Sequence, residues 1–376
     1  MEFILFKDLL QVSIGKRLEL SSIPSGTDWK QICQIAHNHA LTGVCFAGVN
    51  RLPSVQKENL TLELKLQWLA MAAQIQKRNE LMNERCAQLQ RMVNNAGLKA
   101  CVLKGQGVAE LYEIRNEELG IRKDPLGMLR QSGDIDMWVK GGYKVVCDFV
   151  QRTHPSRDLS YHRFHYHVFE DAEVEIHHRP SMMNNPFHNH KLQRWADELS
   201  HEQFVYKANL GFYTPPSSFN KVFLLCHIYR HFVSEGVGLR QLMDYYFVLQ
   251  NSKVDENEDV MDKIRQLGMK RFARAIMWIM QEVFMLDENK MLCTPDEKEG
   301  RYLLHEIMEA GNFGQTDKRY SCRGRYAMQL QNIRHSTHLL FHYPSEVLWM
   351  PLWLIWHFFW KRYKKIMIRR QIGKFK

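Results

Sequence analysis

The sequence predicts an α+β fold, a small mixed β-sheet held between N-terminal and C-terminal helical regions. Three observations predict it. Apolar residues recur at three-to-four-residue spacing before about residue 97 and again from about residue 186. Between these regions the texture changes to short apolar runs punctuated by glycine turns, the pattern of strands. A composition of 45% hydrophobic and 24% charged residues belongs to a chain that buries a core and excludes global disorder.

The 376 residues divide into an N-terminal helical region (1–98), an α/β core (99–185), a helical domain (186–335) and an apolar, basic C-terminal helix (336–376). In the first part, Leu60, Leu64, Trp68, Met71 and Ile75 mark one helix face. That helix continues through Leu81, Arg85 and Leu89 and stops at Asn95-Ala96-Gly97. In the second, Cys101-Val102-Leu103 is a strand, followed by the turn Lys104-Gly105-Gln106-Gly107 and a short helix ending near Tyr112. The glycine- and proline-containing stretch 115–132 reads as a mobile loop. Residues 134–139 alternate like a strand, Gly141-Gly142 opens a helix over 143–151, and strands over 161–170 and 173–177 form a hairpin across Asp171-Ala172. Helical periodicity returns over 217–233, 238–250 and 258–284.

A net charge of +10 favours anionic partners: nucleotides, nucleic acid, anionic glycans or acidic lipid headgroups. It does not choose among them. Eight cysteines without a CxxC pair fit thiols in a reducing compartment better than disulfides or zinc. Charge interrupts the apolar run of residues 1–8 too early for a signal peptide, so a cytoplasmic protein is expected. The tail carries Trp349, Trp353, Trp356 and Trp360, then Lys361-Arg362-Tyr363-Lys364-Lys365. Interrupted by Pro351 and His357, it falls short of the about 20 apolar residues of a membrane span. Two readings remain for 344–376: a helix packed on the protein with its tryptophans buried, or peripheral docking on the anionic inner face of a membrane.

The chemistry centres on Asp134 and Asp136. Residues i and i+2 of a strand share a face, and two neighbouring carboxylates are relieved by a divalent cation such as Mg²⁺. Gly133 leaves room beside them for a close approach. Upstream, Lys104-Gly105 occupies a strand-to-helix junction, where backbone N–H groups and a lysine charge suit phosphate. The plainer readings are a solvated Asp-x-Asp turn and an ordinary glycine turn. A third carboxylate is expected on a neighbouring strand: Glu175 shares a face with Glu173 and His177 while Val174 and Ile176 face the core. Glu173 is the more exposed alternative. Arg130 either contacts phosphate or anchors the loop. Arg240 and Asp244 at i, i+4 form a helix ion pair or line the cleft, and His227 and His231 are core hydrogen-bonders or ligands. Histidines are dense between His154 and His190, but no spacing there is diagnostic of zinc.

Taken in order, Val102-Leu103-Lys104-Gly105, a short helix ending in Leu111-Tyr112, Arg130-Gln131-Ser132-Gly133-Asp134-Ile135-Asp136, and Val174-Glu175-Ile176-His177 resemble the uncharacterised nucleotidyltransferase family of the polymerase-beta-type superfamily. Leu225-Cys226-His227-Ile228-Tyr229-Arg230-His231 and the stretch from Gly236 to Asp244 resemble its helical half. The resemblance covers roughly residues 100–250. It implies a nucleotidyltransferase core that moves a nucleoside monophosphate from a nucleoside triphosphate to a hydroxyl or phosphate acceptor. It also implies Mg²⁺ (or Mn²⁺) on Asp134, Asp136 and Glu175. Lys104 and Gly105 stand where the superfamily usually has a Gly-Ser pair on the triphosphate, and the loop between Tyr112 and Arg130 is long for the family. Two other classes are weighed beside it: an Asp-x-Asp glycosyltransferase using Mn²⁺ and a nucleotide-sugar, and a non-catalytic, membrane-docked binding module. The sequence names neither the acceptor nor the base.

Overall fold

The computed structural model describes residues 2–21, 27–116, 121–315 and 337–372. Four helices come first: α1 (Glu2–Ser13), α2 (Trp29–Asn38), α3 (Thr42–Arg51) and α4 (Leu62–Asn95). The Thr61 hydroxyl starts α4 by accepting the Leu64 N–H, and Glu63 sits in the first turn, where the helix dipole favours an acid. The helix ends as expected, with Gly97 at φ 72° turning the chain away. Its buried face is Trp68, Ala72, Asn79, Met82, Cys86, Leu89 and Val93, while Leu64, Met71 and Ile75 are only half-buried. The face rotates from the expected one because Trp68 donates its indole N–H to the Thr42 carbonyl (2.8 Å) and the later turns must cover a sheet.

That sheet has four strands in the order β1 (Ala100–Val102), β4 (Ile135–Val139), β6 (Val174–His177), β5 (Arg163–His165). β4 and β6 run parallel, and the two outer pairings are antiparallel. One face, with Met137, Val139, Phe164 and Ile176, packs on Met82, Leu89 and Val93 of α4 and on Val146 and Val150 of α6 (Gly142–Thr153). On the other face, Trp138 stacks on Phe219 and joins the larger helical core. Both faces are covered, so all five residues of β4 are buried.

Two expectations for the core region need correction. Among the described residues, the stretch 115–132 is not one continuous loop. β2 (Glu113–Asn116) pairs antiparallel with β3 (Ile121–Pro125), and a single 3₁₀ turn, Leu126–Leu129, follows. Leu126 is fully buried, an anchor that a glycine-and-proline count does not register. The hairpin over 161–177 is real but smaller than expected. β5 holds only three residues, and the link to β6 runs through 166–173 instead of turning at Asp171-Ala172. There Tyr166 is buried, donating its N–H to the Val174 carbonyl and pairing its hydroxyl with Thr153.

Among the described residues the helical half comprises α7 (Pro186–Glu198), α8 (Ser217–Ser234), α9 (Leu239–Asn251), α10 (Asn257–Gln266), α11 (Lys270–Phe284), α12 (Glu297–Ala310) and α13 (Pro344–Ile372), with β7 (Val205–Lys207) and β8 (Phe212–Thr214) between α7 and α8. The periodic run 258–284 is two helices, broken where Gly268 takes φ 72°. α8 and α9 are buried along most of their lengths. The N-terminal helices share their core, and Gln11 of α1 donates to the Glu282 and Val283 carbonyls of α11. The described cysteines are free thiols, and Cys322 lies outside the described residues.

Candidate active site

The sheet register builds the site. Asp136 on β4 pairs directly with Glu175 on β6, which pairs with His165 on β5, and Trp138 pairs with His177 one step along. Paired residues share a face, and the period of two adds His177 to Asp136 and Glu175. All three are buried, and one ligand atom from each lies within 4.8 Å of the others.

Lys104 reaches the same point from the neighbouring strand. The Leu103 N–H donates to the Asp136 carbonyl (2.8 Å), which extends the β1–β4 pairing by one residue. The chain then turns through Lys104 (φ 21°) and Gly105 (φ 49°). Gly107 must be glycine, because a Cβ there would sit 2.4 Å from the Val102 carbonyl oxygen. The turn sets the Lys104 ammonium 2.7 Å from Asp136 Oδ2 and 3.5 Å from Asp134 Oδ1. The following helix α5 (Gln106–Ala109) is a single turn, so its dipole contributes little and the lysine supplies the positive charge.

Each acid has a cation. Asp136 Oδ1 lies 2.7 Å from His177 Nε2, and Glu175 Oε2 lies 2.5 Å from Arg163 Nη1. Burial alone would raise the Asp136 carboxyl, but the Lys104 charge and the His177 hydrogen bond outweigh it and hold it far below the usual carboxylate range. Burial likewise pulls His177 down, and hydrogen bonds and charges from Asp136 and Glu175 reverse that and raise it. Its second nitrogen faces the Arg179 carbonyl at 3.3 Å. Both ring nitrogens thus meet acceptors, the environment of an imidazolium. Asp136 Oδ2 and Glu175 Oε2 touch cations yet accept no well-directed hydrogen bond, so lone pairs remain for another partner.

Asp134 stands apart. It precedes the first residue of β4, its side chain is 30% exposed, and Lys104 links it to the buried trio. His177 takes the third place in the cluster that the sequence reading gave to Asp134.

Residues 25–285 match the family of uncharacterised nucleotidyltransferases. The chain belongs to that family. The match takes in α2 to α4 and reaches through α11, well beyond the span of the motifs. No curated protein and no solved structure shows significant similarity to the chain.

In this member of the family, Arg130 is an anchor. Its guanidinium grips Asp244 with two bonds of 2.6 and 2.7 Å, and the Tyr112 hydroxyl donates to the same carboxylate at 2.5 Å. Asp244 therefore makes no i, i+4 pair with Arg240, whose Nη1 instead donates to the Gln131 carbonyl (2.8 Å). Asn79 of α4 adds bonds to the Met128 and Arg130 carbonyls (2.8 and 2.7 Å). Together they clamp residues 128–131, which lead directly into Gly133 and Asp134. Gly133 leaves open space: a Cβ there would meet nothing closer than Arg240 Nη1 at 3.9 Å.

Sequence reasoning missed Arg163, and it quoted Arg230 only within a motif. Arg230 contacts the rings of His162 (3.3 Å) and His231 (2.9 Å). Among the described residues neither Arg230 nor Arg240 makes a direct ion pair, and burial with the nearby Arg130 charge pulls Arg240 down to about 10. His231 bonds Glu235, and burial lowers His227 and His231, so both are neutral donors or acceptors on the face of α8 turned to Lys104. The available signal was indirect: a carboxylate on a covered strand requires a cation on the strand or helix beside it.

Proposed function

We propose that the chain transfers a nucleoside monophosphate from a nucleoside triphosphate to a hydroxyl or phosphate oxygen of an acceptor. The observation that carries this reading is the convergence of Asp136, Glu175 and His177 beside the Lys104 turn, in a member of a nucleotidyltransferase family.

The donor set fits a divalent ion: two buried carboxylates with unused lone pairs, and Asp134 near by. Such oxygen ligands suit Mg²⁺ or Mn²⁺. When bound, such an ion supplies charge neutralisation on the transferring phosphoryl group. Lys104, Arg230 and Arg240 are the candidate triphosphate ligands. Arg240 is buried and Arg230 half-buried, and neither has a carboxylate within ion-pair distance among the described residues, an arrangement that favours an anion. The acceptor oxygen forms a bond to the α-phosphorus while the bond to the bridging oxygen breaks and pyrophosphate leaves with its electron pair. A hydroxyl acceptor gives its proton to a carboxylate, for which Glu175 is best placed, and His177 holds a proton at Nε2 against Asp136.

The glycosyltransferase alternative expects a βαβ nucleotide-binding half before the Asp-x-Asp motif. The four helices that precede β1, with no strand among the described residues before it, weigh against it. No described helix is long and apolar enough to cross a membrane. We further propose that α13 lies on an anionic bilayer surface. Its outward stripe Leu348, Leu352, Ile355, Phe359, Tyr363 and Ile366 is exposed at helical spacing, and Arg362, Lys365 and Arg369 gather at its end.

The test of catalysis is pyrophosphate release from each nucleoside triphosphate with Mg²⁺ or Mn²⁺, by wild type and by Asp136→Asn. The expected loss is at least about 100-fold, as for removal of one preorganised transition-state contact. Equal release by the variant would remove the basis for this assignment.

A further inference from the structure

Between the start of α7 and the inner face of α13 lies a cavity of about 510 Å³, a size typical of small-molecule sites. Trp349, Trp353 and Trp356 of α13 form one wall and Met183 contributes to the other. Its polar end carries Arg179, Asn189 and His190. The seat is rigid. Glu346 accepts the backbone N–H groups of Asn184 and Asn185 (2.6 and 3.3 Å), and Tyr161 sets its ring edge-on to Trp356 and Trp360.

Two features mark this space as built for a ligand. Arg179 lies over the Tyr161 ring at 4.2 Å, and its Nη1 is buried with no hydrogen-bond partner among the described residues. The mouth is lined by Leu352 and Trp356, both substantially exposed on the same helix that carries the outward apolar stripe. The cavity and the acid cluster are joined through neighbouring residues. Arg179 follows His177 by two residues, just past the end of β6. Its carbonyl faces His177 Nδ1, and the His162 ring lies 5.2 Å from that of His177, next in sequence to Tyr161.

We infer that this cavity binds a single-chain amphiphile with an anionic head, its apolar chain against the tryptophans and its head on Arg179, and that it is the acceptor site for nucleotidyl transfer. The second half of this inference rests on the transferase reading, and the first does not. The acceptor is then a membrane-borne phosphate, handed from the bilayer under α13 to the strand end that holds His177. The phosphate oxygen attacks the α-phosphorus, the bond to pyrophosphate breaks, and no other co-reactant is required.

The probe is dodecyl phosphate below its critical micelle concentration, titrated into the full chain and followed by tryptophan fluorescence, with dodecyl maltoside as the neutral control. Wild type and Asp136→Asn are expected to show saturable binding, at least about tenfold tighter for the phosphate. Arg179→Gln should abolish that preference. His190→Trp, at an exposed position on the cavity rim, should fill the space and weaken both ligands at least about tenfold. Absence of saturable binding, absence of a head-group preference, or binding unaltered in both variants overturns the site. Binding as expected, but with no dodecyl phosphate-dependent pyrophosphate release from any nucleoside triphosphate, overturns the acceptor role and leaves the cavity assignment standing.

Discussion

Asp244→Asn isolates the clamp that leads into Asp134. The substitution keeps the shape of the side chain and removes one charge from a pair in which each side chain is only 4% exposed. Arg130 keeps its full charge, because burial opposes ionisation but Asp244 and the Tyr112 hydroxyl outweigh it. After the change the guanidinium is buried with no carboxylate. Breaking one partner of such a pair costs about 3–5 kcal/mol, whereas replacing both by apolar residues of similar volume is often neutral. The same arithmetic follows from charge: at an effective dielectric near 20, opposite charges about 4 Å apart attract by ~4 kcal/mol. Urea unfolding should therefore show Asp244→Asn destabilised by about 3–5 kcal/mol, with Arg130→Met/Asp244→Leu recovering most of that loss. The double variant's catalytic efficiency should stay low even with stability restored, because residues 128–131 lose the anchor that sets up Asp134. A loss under about 1 kcal/mol for Asp244→Asn, or a double variant no more stable than the single, would refute the clamp.

Two further outcomes follow from burial and charge. Burial pushes His39 down to about 4, so the unfolded chain takes up its proton near pH 6.5 while the folded chain refuses it. Stability should fall between pH 6.5 and about 4 by up to ~3 kcal/mol from this residue, with His178 (about 3) and His231 (about 4) acting in the same direction. His177 acts oppositely, its contribution being full below about pH 6.5 and fading as pH rises through its raised folded value. An unchanged urea midpoint between pH 7.5 and 5 would contradict the neutral state of the buried histidines. On the membrane face, Phe359→Glu places a carboxylate in the middle of the exposed stripe. Wild type should float with phosphatidylglycerol vesicles and not with phosphatidylcholine vesicles, and the variant should lose most of that binding; equal flotation would reject the docking surface.

What was legible in the sequence was local. The alternation around Glu175 placed it and His177 on one face, and β6 has that face. The helix stop at Gly97 and the helical half were equally readable, since capping and 3.6-residue periodicity act within a few residues. Partners far apart in the chain were not readable. Arg130 and Asp244 are separated by 114 positions, so a local rule assigned Asp244 to Arg240 instead. Lys104 meets Asp136 only because β1 pairs with β4, and Arg163 meets Glu175 only because β5 pairs with β6. Asp134 was given equal standing with Asp136 because strand periodicity does not say where a strand begins. One residue outside β4, its side chain turns partly to solvent. On α4 a row of large residues outvoted Asn79, although the bonds from Asn79 to residues 128 and 130 select the buried face.

The charge balance of the site constrains how it can be used. Asp134, Asp136 and Glu175 are matched by Lys104, Arg163 and the raised His177, gathered at one side of a sheet whose other face is apolar. Adding a divalent cation alone would leave excess positive charge at low dielectric, and adding a polyphosphate alone would leave excess negative charge; both are unfavourable. Binding the two together offsets most of either excess, and the Arg230 and Arg240 charges offset the remaining negative charge of the phosphates. The carboxylates then exchange their lysine and arginine partners for the ion, and the released ammonium and guanidinium groups meet phosphate oxygens. Lys104 is suited to this exchange because it is a flexible point charge on a glycine turn, whereas Arg130, fixed by two bonds and a tyrosine, is not. The same reasoning separates two kinds of basic residue here: Arg130, which holds the backbone, is locked to a carboxylate of the helical half, and those that can serve a substrate are paired only to the acids of the site, to neutral rings or, for Arg240, to a single backbone carbonyl.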